Sequence, residues 1–424
     1  MSLLRSGYTC FSWLGAPFIS GYLRWRAYKG HEDKTRLNER MGITDVARPD
    51  KPLLWVNAVS VGEAMAALTI AQAVLKKYPK VHILLTTTTV SSAKVIEKRL
   101  HKNIIHQFCP VDTLQAVNRF LDHWQPDLAI WIESELWPNL IHQTQEKGIP
   151  TLLLNGRMSL KSFANWKKLK GMIAPLLSRL DVCAVQSEEQ ASFFQALGAK
   201  SVFIMNSVKL MMSPLDVDAC KYQALKKEVG TRPLWLAAST HPGEEEIVFK
   251  AHKILREEHP DLLTILVPRH IERAAALQYL ALKEGFSTAL RTGMSSLEGV
   301  DVYIGNTLGE MGLFYALSPV VFMGATFVAK GGHNPIEAAQ LGAFVLHGPH
   351  IFKNVELYDS LAALGFSKCI QEEKQLSSLV LPWLKKQKEN YDEPSILKTY
   401  REKGFQKLIK LLEPHLKNLR EIRK

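Results

Sequence analysis

The sequence LLWVNAVSVGE, residues 53–63, contains the start of a strand–helix pattern that repeats along the chain. A mostly apolar run at 53–59 is followed by a turn, by apolar residues at helical spacing over 64–78, and by a second apolar run at 81–86. A strand, a helix and a second strand in this order form the unit from which parallel sheets are built. The stretch therefore predicts an α/β domain whose first strand begins near residue 53.

The same alternation continues along the chain and then starts again. Between the two series, MMSPLDVD at 211–218 interrupts the periodicity and indicates a domain boundary. We predict two Rossmann-like, doubly wound α/β domains, residues 31–212 and residues 213–393, that face a central cleft. Residues 1–30 form an N-terminal segment, and residues 394–424 form a C-terminal helical segment. The predicted strands are 53–59, 81–86, 128–132, 151–154 and 182–185, and then 234–238, 263–267, 302–304, 320–323 and 344–346.

Composition and charge exclude several classes of protein. The 424 residues are 46 % hydrophobic and 22 % charged, which fits a folded chain and neither a disordered nor a multi-span membrane protein. Five scattered cysteines lack zinc-site spacing, which favours a reducing compartment, the cytoplasm. Of the net charge of +12, residues 1–52 carry 9 Lys+Arg against 5 Asp+Glu, and residues 383–424 carry 12 against 6. The nearly neutral middle argues against a nucleic-acid partner.

The N-terminal segment 1–30 has the pattern of a membrane-associating element. Residues 7–23 are uncharged and rich in aromatics, and Arg24, Arg26 and Lys29 follow them. This run is short for a membrane span, and three glycines and Pro17 weaken it further. We favour a helix that lies in the interface and contacts an anionic membrane surface. A marginal span, or a helix packed on the protein's own core, remains an alternative.

Two groups of acidic residues follow predicted strands of the first domain. Ser60 and Glu63 have the spacing of a capping box, in which the carboxylate only holds the helix start. A carboxylate between strand and helix can also accept a proton from a substrate, so both interpretations stay open. Glu133 and Glu135 follow the strand at 128–132, where one could cap the next helix and the other could serve chemistry.

In the second domain, GGHNPIE at 331–337 joins a strand to a helix. Asn334 as N-cap, Pro335 at the first helical position and Glu337 predict a helix start over 335–341 whose free N–H groups suit a phosphate. Arg269 ends another strand and could hold a phosphate, while Glu310, between glycines, could accept hydrogen bonds from sugar hydroxyls.

Two other patterns are not interpreted as metal sites. Asp216 and Asp218 have the Asp-x-Asp form of some metal sites but lie in the linker with no strand before them. The group at 241–246, HPGEEE, lacks the paired histidines of a zinc protease, and its acids suit the first turn of a helix.

Together, these strings resemble the bacterial 3-deoxy-D-manno-octulosonic acid (Kdo) transferases of lipopolysaccharide assembly. The resemblance runs from about residue 37 to residue 364. The matching strings are AVSVGE at 58–63, ESELWPN at 133–139, NGRMS at 155–159, QSE at 186–188, ASTH at 238–241, VPRH at 267–270, GEMG at 309–312 and GGHNPIE at 331–337.

The resemblance implies a GT-B glycosyltransferase that transfers Kdo from CMP-Kdo to a lipid A precursor at the cytoplasmic face of the inner membrane. It implies inversion at the anomeric carbon, no metal and no cofactor. Glu63 then corresponds to the general base, and Glu133 and Lys209 to residues that stabilise the transition state. The CMP-binding positions would be Pro268, Arg269, Gly309, Glu310, Met311, Asn334, Pro335, Ile336 and Glu337.

Two alternatives compete with this interpretation. One is another GT-B enzyme that uses a UDP-sugar, either a transferase or an epimerase. The other is a non-catalytic membrane protein that binds lipid precursors through its basic ends.

Overall fold

The computed structural model describes residues 3–421 except Ser134, Met294, Ser295, Gln387 and Glu389. Two compact units divide these residues. Unit one contains the chain up to Met212 and again from Glu402 onward, and unit two contains Ser213–Arg401. The chain leaves unit one in the segment where the periodicity of the sequence is interrupted.

Unit one is built on a seven-stranded parallel sheet with the strand order β3-β2-β1-β4-β5-β6-β7. Its strands are β1 (Leu53–Asn57), β2 (His82–Thr87), β3 (Ile104–Phe108), β4 (Leu128–Ile132), β5 (Thr151–Gly156), β6 (Val182–Val185) and β7 (Val202–Ile204). Its helices are α1 (Leu3–Tyr28), α2 (Val61–Lys77), α3 (Val90–Glu97), α4 (Leu114–Trp124), α5 (Pro138–Glu146), α6 (Leu160–Lys168), α7 (Lys170–Leu177) and α8 (Glu188–Ala196), with short 3-10 helices at Leu37–Met41 and Val208–Met211.

The order of strands fixes where a ligand can bind in unit one. The chain moves outward from β1 to β3 and then returns to β4 on the other side of β1. Adjacent connections therefore cross to opposite faces and leave a crevice at the carboxyl ends of β1 and β4. Ser60 and Glu63 follow β1, and Glu133 follows β4, so these residues come to the same edge of the sheet.

Unit two repeats the design with the strand order β10-β11-β9-β8-β12-β13-β14, again parallel throughout. The corresponding crevice lies at the ends of β8 and β12. The strands are β8 (Leu234–Thr240), β9 (Leu263–Pro268), β10 (Thr288–Leu290), β11 (Val302–Ile304), β12 (Val320–Met323), β13 (Phe344–His347) and β14 (Ser367–Cys369). The helices are α9 (Ala219–Val229), α10 (Glu245–Glu258), α11 (Ala274–Lys283), α12 (Met311–Leu317), α13 (Ile336–Gln340), α14 (Val355–Ala363) and α15 (Gln375–Leu384), with a 3-10 helix at Ile271–Arg273.

The last helix, α16 (Ser395–Glu421), begins in unit two and continues into unit one. Leu408, Leu412 and Leu416 recur at helical spacing and are completely buried in a core that includes residues of α2 and the central strands of unit one. Each such leucine stabilises the fold by roughly 1.5–3 kcal/mol through burial. The C-terminal helix is therefore part of the hydrophobic core of unit one.

Helix α1 has one covered face and one exposed face. Ser12, Leu23 and Ala27 are buried, and the Tyr8 hydroxyl donates to Asp112 Oδ2 at 2.8 Å. An apolar stripe on the exposed face recurs every three or four residues, and each of its side chains is more than half exposed. It comprises Phe11, Leu14, Phe18, Tyr22 and Trp25. Within the described part of the chain, no helix combines the length and hydropathy needed to cross a bilayer.

Candidate active site

Glu63 lies at the start of α2 and is 7 % exposed. Its Oε1 accepts hydrogen bonds from the Ser60 hydroxyl at 2.6 Å and the Ser60 N–H at 3.4 Å, and its Oε2 accepts one from the Val59 N–H at 2.9 Å. The Glu63 N–H in turn donates to Ser60 Oγ at 3.3 Å. The predicted capping box is therefore confirmed. Because a carboxylate offers about four lone-pair sites, one site on Oε2 remains for a substrate proton.

Glu133 and Lys209 form an ion pair at the same edge of the sheet. Lys209 Nζ lies 3.5 Å from Glu133 Oε1, and both side chains are about one-fifth exposed, at 18 % and 20 %. Asn155 connects the two segments: its Nδ2 lies 3.5 Å from Glu133 Oε1, and its Oδ1 accepts the Val208 N–H at 3.1 Å. Asn155 thus positions the 3-10 turn that carries Lys209.

The carboxylates of this edge influence one another electrostatically. Burial raises the pKa of Glu63 above its usual range, and the nearby Glu133 charge adds to that effect. Burial also raises the pKa of Glu135, with a further contribution from Glu63, while a hydrogen bond from Trp137 Nε1 at 2.9 Å opposes the shift. A carboxylate with a raised pKa is a stronger proton acceptor, so this group is suited to general base chemistry.

Backbone strain concentrates at the ends of the strands. Glu133, Asn155, Ser239 and Ala325 have φ between 57° and 63°, and each lies at or just beyond the carboxyl end of a central strand. Such conformations cost about 1–3 kcal/mol in non-glycine residues and are found mainly where a site requires them. Both crevices therefore carry the strain that is typical of functional sites.

In unit two, three histidines gather where β8, β9 and β12 end. His241 Nε2 lies 3.2 Å from His333 Nε2, and the two rings are stacked with centroids 5.4 Å apart. The His270 ring is 6.0 Å from that of His241. Arg269 is exposed beside them, and its N–H donates to the Thr240 carbonyl at 3.0 Å. Pro268 is the last residue of β9 and is buried. This cluster has the charge and position of a site for an anion.

The loop at 331–337 differs in one respect from the prediction. Helix α13 begins at Ile336 with Pro335 as its N-cap, so the expectation that Asn334 is the N-cap and Pro335 the first helical residue is wrong by one position. The reason is local, because Asn334 Oδ1 accepts the Ile336 N–H at 3.1 Å two residues on. Asn334 Nδ2 also donates to Glu337 Oε1 at 3.1 Å, and burial raises the pKa of Glu337.

Glu310 does not offer the open carboxylate that the sequence suggests. Arg291 binds both of its oxygens, at 2.9 and 3.2 Å, and Lys221 Nζ and the Thr307 hydroxyl approach to 2.7 and 2.6 Å. These partners lower the pKa of Glu310 to about 2. Gly309 has φ of +83°, and Met311 is the first residue of α12. Glu310 therefore connects the segments that carry Arg291 and Lys221 through ion pairs. It also lines a cavity of about 470 Å³ with Arg291, Thr307 and Tyr303.

Sequence reasoning missed the role of Glu244. This completely buried carboxylate accepts four backbone hydrogen bonds, from the N–H groups of His241, Ala325, Thr326 and Phe327 at 2.8–3.0 Å. It thereby fastens the turn after β8 to the loop after β12, and so it positions His241 at the cluster. The His-Pro-Gly-Glu turn directly after a strand was the available signal.

A residue that has a metal-site pattern but was not interpreted as a metal ligand has a different role in the structure. The Asp218 side chain accepts the Lys221 N–H at the start of α9, as an ordinary cap. Among the described residues, no group of three or more histidine, cysteine, aspartate or glutamate side chains could hold a metal ion.

Comparisons with known proteins identify a family and several named relatives. Residues 35–212 match the family described as 3-Deoxy-D-manno-octulosonic-acid transferase (kdotransferase). A Rickettsia bellii protein named 3-deoxy-D-manno-octulosonic acid transferase is 34 % identical over 394 residues, covering 92 % of this chain and 94 % of its own. A Haemophilus influenzae protein of the same name is 32 % identical, covering 84 % and 85 %. An Arabidopsis thaliana protein, named as a probable mitochondrial form, is 38 % identical, covering 79 % and 77 %.

Solved structures share the fold. A putative UDP-N-acetylglucosamine 2-epimerase from Listeria monocytogenes matches with a TM-score of 0.54 at 14 % identity, over 84 % of this chain and 91 % of its own. A glycosyltransferase from Rickettsia africae matches with a TM-score of 0.53 at 11 % identity, over 89 % and 100 %. At such identities, these matches establish the two-sheet α/β architecture of GT-B proteins and nothing about substrate.

Proposed function

Because the chain belongs to the 3-deoxy-D-manno-octulosonic acid (Kdo) transferase family, we propose that it transfers Kdo from CMP-Kdo to a hydroxyl group of a lipid A precursor and releases CMP. The observation that supports this most directly is that the Glu63 and Glu133 carboxylates lie with Lys209 at the edge formed by the ends of β1 and β4. It combines a buried base with a fixed ion pair, as a glycosyl transfer requires.

Glu63 acts in this proposal as the general base. The hydroxyl oxygen of the acceptor forms the new bond to the anomeric carbon, while the bond from that carbon to the phosphate oxygen of CMP breaks. The hydroxyl proton passes to Glu63 Oε2, the oxygen with a remaining lone-pair site. Attack from the face opposite the leaving group inverts the anomeric carbon.

Glu133 and Lys209 stabilise the charges that develop in the transition state. The Glu133 carboxylate opposes the positive charge that grows at the anomeric carbon, and the Lys209 ammonium group opposes the anionic groups of the substrate. Their mutual contact at 3.5 Å orients both charges in advance, which is the main source of electrostatic catalysis.

Unit two binds the donor in this proposal. Arg269 and the loop from Gly331 to Glu337 present cationic and polar groups at the ends of β9 and β12. The leaving group is a single phosphate, whose charge these groups are able to stabilise. We therefore expect transfer to need no divalent metal ion and no cofactor.

We also propose a location at the cytoplasmic face of the inner membrane, and the exposed face of α1 supports the membrane contact that this location requires. Its apolar stripe from Phe11 to Trp25 is followed by basic residues and suits insertion into the interface of an anionic bilayer. A lipid acceptor would be met at that surface.

The proposal is tested by a transfer assay with freshly generated CMP-Kdo and a tetra-acylated lipid A precursor, with products identified by mass. Wild-type protein should add Kdo masses, and Glu63→Gln should not. A folded wild-type protein that yields no product with this donor and acceptor would contradict the proposal. As a separate measure of donor choice, CMP should raise the melting temperature, whereas UDP should not.

A further inference from the structure

The His241–His333 pair has a chemistry that the transfer mechanism above does not use. Two Nε2 atoms at 3.2 Å can share a hydrogen bond only if one of them carries a proton and the other does not. The pair can take up one additional proton at the Nδ1 atom of the donor ring without breaking this bond. A second additional proton would place two N–H groups against each other, so the pair holds at most one extra positive charge.

The surroundings of the pair keep it neutral when no ligand is bound. Burial lowers the pKa of His333 to about 4 and also lowers that of His241, and nearby cations act in the same direction. The charged and titratable groups that face the pair are Arg269 and His270 after β9, Lys330 and Lys353 in the adjoining loops, and Glu244 and Glu245 at the start of α10.

The two acidic groups among these are already engaged. Glu244 accepts four backbone N–H groups, and Glu245 forms a two-point ion pair with Arg273 at 2.7 and 3.2 Å. His270 lies 3.6 Å from Glu272, which is exposed. The cluster thus contains several positive groups that converge on a histidine pair, and the acids nearest that pair have other partners. A bound phosphate would complement these positive groups.

We infer that the His241–His333 pair binds the phosphate of the CMP that transfer releases and takes up one proton from solution to match the dianionic charge of that phosphate. This inference rests on the proposed function, because it needs a CMP nucleotide in unit two. A dianionic phosphate beside the rings favours the imidazolium form, which then donates a charge-assisted hydrogen bond to a phosphate oxygen. The pair therefore becomes positively charged only when the CMP phosphate is bound.

The test is calorimetric titration of the full chain with CMP at pH 7.5 in three buffers of different ionisation enthalpy. At this pH the phosphate of CMP is mainly dianionic, since phosphate monoesters have a second pKa near 6. The dependence of the apparent enthalpy on the buffer counts the protons that are taken up. Wild-type protein should take up close to one proton, and its Kd for CMP should rise by up to about tenfold from pH 7 to pH 8.

Cytidine provides a matched ligand without the phosphate. It should bind more weakly and without proton uptake, since nothing then charges the histidine pair. Equal uptake with cytidine and CMP would overturn the inference, and this comparison needs only the wild-type protein.

Variants of the two paired histidines locate the proton, and a third variant is the control. His333→Gln should abolish the uptake and weaken CMP binding. His259→Gln should behave like the wild type, because α10 carries residue 259 back to the opposite edge of the sheet. Uptake that persists in both His333→Gln and His241→Gln would assign the proton to another group and overturn the inference. CMP binding without proton uptake would overturn it and leave the donor assignment intact, whereas no CMP binding at all would contradict the proposed function itself.

Discussion

Lys209 Nζ lies 3.5 Å from Glu133 Oε1, and the two residues come from segments that are separated by three strands of the chain, β5, β6 and β7. The contact depends on Asn155, which accepts the Val208 N–H and also approaches Glu133. The Asn155 side chain therefore fixes the position of Lys209 relative to Glu133. This arrangement makes the pair a preorganised unit rather than a chance surface ion pair.

Replacement of Lys209 should test that role. Lys209→Met removes the charge but keeps the length of the side chain, and we expect turnover to fall by about 10²–10³-fold, as for other preorganised electrostatic groups. The measurement is initial rate at saturating donor. Lys77→Met is the matched control, because Lys77 forms an exposed ion pair with Glu413 at 3.2 Å in the same unit, and its rate should equal that of the wild type. Equal losses in both variants would contradict a specific role for Lys209.

Capping and catalysis by Glu63 can be separated with two variants. Glu63→Gln retains an oxygen that can close the capping box but turns its NH2 group toward the Val59 N–H, so stability should fall by about 1 kcal/mol while turnover falls by about 10²–10⁴-fold. Ser60→Ala removes the cap and should lower the free energy of unfolding by about 1 kcal/mol. Melting temperature and turnover, measured on both variants, distinguish the two roles.

The pH profile gives an independent readout of the same residue. A base is active when deprotonated, so the rate should rise with pH through a Glu63 pKa that lies above its usual range. The Ser60 hydroxyl lowers that pKa by hydrogen bonding, and its removal in Ser60→Ala should move the acid limb to higher pH. An acid limb that is unchanged in Ser60→Ala would argue that Glu63 is not the titrating base.

Glu310 should contribute to the acid stability of the protein. Its pKa in the folded state is about 2, below the ordinary value of 4.5, because Arg291, Lys221 and Thr307 favour the charged form. Its stabilising contribution is therefore complete above pH 4.5 and is lost as the pH falls from 4.5 toward 2. Glu310→Gln should lower the melting temperature at pH 6 and reduce the slope of melting temperature against pH between 5 and 3. The exposed Glu298, changed to Gln, should leave both quantities unaltered.

The exposed stripe on α1 predicts membrane binding. Phe11→Ser with Phe18→Ser removes two side chains that are 77 % and 82 % exposed, so the fold should be little affected while binding to anionic vesicles weakens. Co-sedimentation with vesicles of phosphatidylglycerol and phosphatidylethanolamine at low and high salt measures this. Tyr279→Ser with Leu282→Ser, a pair of exposed apolar residues on α11, is the control and should bind like the wild type. A wild-type protein that stays in solution at low salt would contradict the proposed location.

The strands that were missed from the sequence share one property. The sequence predicts ten strands, all of which appear in the structure, whereas β3, β7, β10 and β14 were not predicted. These four lie at the two edges of each sheet. Central strands of a parallel sheet are buried on both faces and therefore read as continuous apolar runs. Edge strands such as Ser367–Cys369 are short and partly exposed, so their composition lacks that signal.

The site shows the same division between what is local and what is not. The alternation of central strands and helices, the placement of Glu133 and Arg269 directly after strands and that of Glu63 at a helix start follow from the sequence alone, because they depend on patterns within a few residues. The contacts of Lys209 with Glu133 and of His241 with His333, and the ion pairs of Glu310 with Arg291 and Lys221, instead depend on long-range packing. The order of strands explains this difference, because burial of each sheet brings distant carboxyl ends side by side and no local periodicity specifies which ends become neighbours.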